Sequence, residues 1–417
     1  MTARNKNTRR QDDQPYSLGS YTIGWVFSGY FFYRDEDECK FIFNEIHPKL
    51  PTNPRDTTKY SFGRIGQHNV VVAHIPNSTN RGAASYAAAN MSLTFFNVSL
   101  ILLVGTAGGV PKQSLKPLEQ DVVCGDVVVS YYGKWKECGF VIPYLERGND
   151  KQYQIKDMNY SPSPETIKAL ENWKDRIAMG RTKITRYLPK AKEINPDWYH
   201  PPWPERDILY QVDSDQCVER AIRTSHDPVV HYGAIGAGDT AMTDGYGRDQ
   251  LRDMYGVLAF DTQTRELLRG FNMVVIKGIS HYCDGRPENM NLGPWGSLTA
   301  TAAAKDFLNF VSVITPGPPQ HQLCKWVNES ECETSWLEPY RVPALVYCLS
   351  WVGPPVTWYH VPVDAEGRDV IRSQCLPFLG GWGLQMQRER SKLSADDILN
   401  TYPRVWRLLG RKLFYEG

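Results

Sequence analysis

Residues 100–110 constrain the fold more than any other stretch. Five apolar residues, Leu100 to Val104, run without a polar interruption into Gly105, Thr106, Ala107, Gly108 and Gly109. A short apolar run stopped by glycines reads as a buried strand whose end opens into a loop. Glycine lets a backbone approach a ligand closely, and successive free N–H groups make an anion-binding concavity. In an open α/β sheet, ligands lie beyond the carboxyl ends of such strands. A strand followed by a tight turn is the plainer alternative.

The flanking segments repeat that texture. Strands are expected at 21–27, 122–130, 229–238, 257–260 and 273–279. A hairpin is expected over 60–75, turning at 66–69, with the β-branched run Val70 to Val72 in its second arm. Between them lie helical patterns at 36–46, with Cys39, Phe41, Ile42 and Ile46 on one face, and at 81–96, 247–255, from 263, and 297–313. Residues 146–227 are richer in charge and proline. One helix stands out there, over 163–177, opened by Ser163, Pro164 and Glu165. Alternating strands and helices predict an α/β fold on a mixed central sheet.

Length divides the chain further, since 417 residues exceed one average domain. A polar tail, 1–17, precedes a domain over 18–315. Pro316, Gly317, Pro318 and Pro319 break every pattern and mark a boundary. Residues 320–417 form an extension that no pattern assigns, apart from a helix expected over 394–413. The net charge of +1 gives no pull towards nucleic acid or acidic lipid. The most apolar window, 95–104, is too short to span a bilayer. Nine cysteines without a C-x-x-C pair argue against a zinc site or disulfide framework and for a reducing, cytoplasmic setting. No metal and no cofactor are expected.

Several stretches, taken in order, resemble the nucleoside phosphorylase and nucleosidase superfamily in its fungal branch. They are Tyr21 to Trp25, Phe62 to Val71, Val104 to Pro111, Gly125 to Ser130, Asp227 to Asp249 and Val275 to Asp284. The resemblance implies a mixed sheet partly closed into a barrel and flanked by helices. It also implies a nucleoside-like ligand and, by analogy, a homo-oligomer. Phosphate would be a co-substrate if the chemistry were phosphorolysis.

Cleaving an N-glycosidic bond builds positive charge on the ribose and negative charge on the base. The chemistry therefore calls for an acid at the base and a carboxylate gripping the ribose. Carried over residue by residue, Gly105, Thr106, Gly108 and Gly109 would line the pocket. Arg81 falls where relatives sometimes place a phosphate-binding arginine. Asp239 and Met242 match the segment that lines the base pocket. After Phe260, however, the family's Glu-Met-Glu reads Asp261, Thr262, Gln263. Gln263 thus stands for the ribose carboxylate. His281 stands for the leaving-group aspartate, with Asp284 matching a second acid. Phe32 stands for the water-activating glutamate, beside Tyr30 and Phe31.

Three chemically decisive positions depart together. If the chain is catalytic, His281 and Asp284 are the acids expected to act, since histidine titrates near neutrality. The alternatives are a non-catalytic ligand-binding or signalling module, or reuse of the pocket in fungal small-molecule metabolism. His231 and His74 are expected to be structural, and the aromatic residues of 198–203 to pack a proline-rich loop.

Overall fold

The computed structural model describes most of residues 16–313. Outside the described residues lie 1–15, 314–417, the segments 29–34, 53–55, 76–81, 113–120, 133–139, 148–151, 156–159, 266–270 and 287–291, and scattered positions between 197 and 226. The expectations for Arg81, Tyr30, Phe31, Phe32, Trp198, the helix from 263, the Pro316 boundary and the C-terminal extension fall on residues wholly or largely outside the described set.

Strand β5 (Leu100–Gly109) is the axis of the sheet. Its apolar half is fully enclosed, as a strand covered on both faces must be. Strand β11 (Met273–His281) runs parallel along one edge, from Met273 opposite Ile101 to His281 opposite Gly108. On the other edge β1 (Ile23–Ser28) pairs in parallel as far as Ser28 opposite Gly105. Beyond β1 come β4 (His68–His74), β3 (Lys59–Ile65) and the short β2 (Glu45–Ile46).

The other side of the sheet curls. β11 pairs antiparallel with β6 (Val127–Ser130), β6 pairs in parallel with β9 (Val230–Ala237), and β9 with β10 (Val257–Asp261). β10 then returns antiparallel to β5, with Phe260 opposite Gly108. The strands β5, β11, β6, β9 and β10 therefore close a ring, which leaves no free edge among them. Strands β7 (Val141–Arg147) and β8 (Gln152–Ile155) extend outward from β9.

Helices cover the sheet. α6 (Gly293–Phe307) is Ala-rich and packs on β11 and β5 so closely that a Cβ on Gly278 would lie 1.8 Å from the Gly296 carbonyl oxygen. α2 (Ala83–Thr94) covers β1. α1 (Asp35–Ile42) and α4 (Ile184–Ile194) lie against α6. α3 (Pro164–Ala178) begins as its sequence predicts, with Ser163 Oγ accepting from the Thr166 N–H. α5 (Gly245–Tyr255) is capped by Asp244 and stopped by Gly256 in the left-handed region.

The α/β class and the partly closed barrel hold. Several expected elements change. The glycines of 105–109 are not a loop: β5 continues through Gly109, and its backbone groups pair with neighbouring strands. The expected strand at 122–130 begins only at Val127, because Gly125 turns at φ 92° and Asp126 is drawn into a buried ion pair. Ile46 leaves helix α1 for strand β2 and is exposed. α6 starts four residues before the expected Ser297, and it ends at Phe307, not at Val313. Tyr16, placed in the polar tail, stacks on His47 at 3.7 Å.

Candidate functional site

The seam that closes the ring between β5 and β10 is short. On the edge of β5 that β1 and β10 share, the described part of β1 reaches Gly105 and β10 arrives opposite Gly108. Among the described residues, Thr106 and Ala107 between them have no strand partner on that edge, which leaves a gap. Thr106 is also the one residue of β5 that is not fully buried. Around this gap gather the ends of β1, β10 and β11 and the segment after β9.

Below the gap lies a buried charge cluster that the sequence reading missed. Ser28, Gly105 and Lys277 stand at the same level on three adjacent strands. Gly105 carries no side chain, so the Lys277 amine crosses β5 and donates to Ser28 Oγ at 3.1 Å. A Cβ on Gly105 would lie 1.7 Å from the Ser28 carbonyl oxygen, so packing alone requires glycine here. Lys277 Nζ also pairs with Asp261 Oδ1 at 3.3 Å, and Asp261 takes a further bond from the Thr264 hydroxyl. Burial pushes the Lys277 amine below its ordinary value, and the Asp261 charge pulls it back. A signal was available: one lysine inside the apolar run of β11 needs a buried partner.

The proposed acids sit above. His281 is partly buried at the end of β11, its Nδ1 3.0 Å from Ser280 Oγ. Ser280 Oγ in turn lies 3.3 Å from the Ala107 carbonyl. Burial lowers the His281 pKa below 6.5, against the opposing pull of Asp284, so the ring is neutral at pH 7. A Cβ on Gly108 would come within 2.9 Å of His281 Nε2 and 2.0 Å of Cys283 Sγ. Cys283 holds φ +57°, a left-handed conformation uncommon outside glycine, and burial pushes its thiol up to about 12. Asp284 accepts from the Arg286 N–H at 3.2 Å.

Phe260 is buried beside Met242, Tyr144 and Cys283 in an apolar cluster apart from the main core. Thr262 and Gln263 follow at the turn after β10 and are partly buried. Gln263 Oε1 is enclosed and, among the described residues, has no hydrogen-bond partner. Asp239 is paired with Arg265. The structure thus gathers Thr106, Gly108, Phe260 and His281 around one gap, and places Gln263 and Asp239 on the segments leading from β10 and β9. Gly109 is packed against Ile279 and Val122.

Behind His281 stands a second polar network. Tyr282 OH accepts from Arg220 at 2.7 Å and from the Cys124 N–H at 3.0 Å, and donates to Asp207. The two Asp126 oxygens accept from the two Arg223 terminal nitrogens, each at 2.6 Å, and His231 Nε2 lies 2.8 Å from Oδ2. Burial opposes the Asp126 charge, but the His231 and Arg223 bonds outweigh it and hold the carboxyl below its ordinary value. His231 is therefore a structural partner. Among the described residues no His, Cys, Asp and Glu cluster could hold a metal ion, and no helix is long and apolar enough to cross a membrane.

No protein-family model matches the chain. A nucleotide-binding leucine-rich repeat (NLR)-like protein of Hyaloscypha variabilis is 26% identical over 316 residues. That match covers 71% of this chain but 30% of the relative, so the chain spans under a third of its length. Among solved structures, the futalosine hydrolase of Helicobacter pylori aligns at 12% identity with a TM-score of 0.42, covering 70% of this chain and 99% of that one. The 5'-methylthioadenosine/S-adenosylhomocysteine nucleosidase of Neisseria meningitidis, solved with methylthio-immucillin-A, aligns at 14% identity with a TM-score of 0.40, covering 69% and 98%.

Proposed function

We propose that this domain binds a nucleoside-like ligand at the gap in β5 without cleaving it, as the sensing module of a signalling protein. One observation carries the reading. The carboxylates Asp239 and Asp261 are each occupied by a cationic side chain, while the carbonyl of Gln263 is enclosed and unpartnered among the described residues. An enclosed acceptor without a partner costs about 1–3 kcal/mol, which a ligand hydroxyl would offset. Gln263 then holds a ribose hydroxyl, neutral His281 meets the edge of the base, and Phe260 and Met242 form the apolar wall. No free carboxylate remains among these groups to activate water, and a neutral imidazole is a poor proton source. The fungal NLR-like relative supports a signalling role.

Calorimetric titration with adenosine, inosine, 5'-methylthioadenosine and uridine tests this. Saturable binding is expected for at least one, weakened about tenfold in Gln263→Ala by loss of one buried hydrogen bond. Absence of binding across the panel, or equal binding by the variant, would overturn the reading.

A further inference from the structure

At the end of the barrel remote from Thr106 the surface holds a cavity of about 220 Å³. The β3–β4 turn at Gly66, the start of α4 and the end of α6 form its walls. This is where β1 begins, since the Thr22 N–H donates to Asn69 just after that turn. Lys305 lines it from α6 and is 2% exposed. Its ammonium can donate three hydrogen bonds. One goes to the Phe41 carbonyl at 2.5 Å, and the Tyr187 ring lies 4.9 Å away. Among the described residues Lys305 has no ion pair.

The remaining lining is one-sided in charge. Lys183, the residue before α4, contributes a second amine, and among the described residues no aspartate or glutamate lines the cavity. Asn44 gives its amide oxygen to the Gly66 N–H at 2.9 Å, which leaves its NH₂ end as a further donor. Asn309 already donates to the Lys305 and Asp306 carbonyls, so it fixes the end of α6.

We propose that this cavity is a second binding site, for a small oxyanion held by Lys305 and Lys183. A buried ammonium without a counter-charge must shed its proton or acquire an anion. Burial and the nearby Lys190 charge bring Lys305 down to about 7, the value of an amine poised between these outcomes. The donors suit a phosphate or a small carboxylate equally. The site is independent of the gap at Thr106 and of any nucleoside.

Thermal unfolding and calorimetry of the full chain with inorganic phosphate and, separately, sodium succinate test it, against sodium chloride at equal ionic strength. Saturable binding of one or both is expected, and the responding arm identifies the anion class. Lys305→Met should reduce affinity about tenfold or more, the loss of one charge-assisted bond. Should that buried variant fail to fold, Lys183→Ala, at an exposed position, should still weaken binding severalfold. No response to either anion beyond chloride, or unchanged affinity in both variants, would overturn the proposal.

Discussion

Asp126→Asn should destabilise the domain more than any conservative change at an exposed carboxylate. Asp126 is 1% exposed. Oδ1 accepts from Arg223 at 2.6 Å and Val229 N–H at 3.0 Å; Oδ2 accepts from Arg223 at 2.6 Å and Val123 N–H at 3.0 Å and meets His231 at 2.8 Å. Both oxygens face only donors or a histidine nitrogen. An amide must therefore turn its own NH₂ against at least one N–H group, and Arg223 loses the carboxylate that both its terminal nitrogens bond. Removing one partner from a buried ion pair costs about 3–5 kcal/mol. At about 2–3 °C per kcal/mol for a domain of this size, the melting temperature should fall about 6–15 °C. Asp253→Asn is the control, because its carboxylate is largely exposed and a surface pair is worth about 0–1 kcal/mol. The Asp126 pKa is depressed in the folded state, so its contribution is complete above the ordinary carboxylate value of about 3.9 and is lost as pH falls through the lower folded value. Thermal unfolding from pH 7 down to pH 3 should show that loss in the wild type and a shallower one in the variant. A melting temperature within about 2 °C of wild type at pH 7 would refute the argument that this network is a major anchor.

Three further outcomes follow from the same geometry. Gly278→Ala should cost about 1–3 kcal/mol or more in urea unfolding, because the added methyl meets the Gly296 backbone and not a movable side chain. Lys277→Met should cost about 3–5 kcal/mol by stranding the Asp261 charge, and Lys277→Met combined with Asp261→Leu should recover part of that loss. Ligand affinity at the gap should be constant near neutrality and decline in acid, as pH falls through the lowered His281 value and the ring gains a proton; a flat profile by calorimetry would remove His281 from the contact.

Much of the architecture was legible because β5, β11 and β9 announce themselves as apolar runs. What the pattern could not separate was glycine used for a turn from glycine used for close packing. Gly105 and Gly108 read as a loop, yet they sit inside a strand because the Ser28 backbone, His281 and Cys283 approach too closely for any side chain. Helix α4 was missed because Pro189 lies inside it, although Ile184, Leu188 and Ala191 have helical spacing and are buried. Strands β7 and β8 were hidden by Pro143 and by charges at their ends. The Lys277–Asp261 pair was out of reach for a different reason. It forms between neighbouring parts of the barrel, and nothing in either local segment names its partner.

The pocket proposed at Thr106 is expected to hold a nucleoside intact. The most direct test keeps the protein in excess over radiolabelled adenosine, inosine, 5'-methylthioadenosine or uridine, with and without phosphate. After overnight incubation the protein-bound and free fractions are separated and their contents resolved by chromatography. Intact nucleoside recovered with the protein, and no free base above a protein-free control, is the expected result. Free base appearing in proportion to protein would contradict it and restore a cleaving enzyme with His281 as its acid.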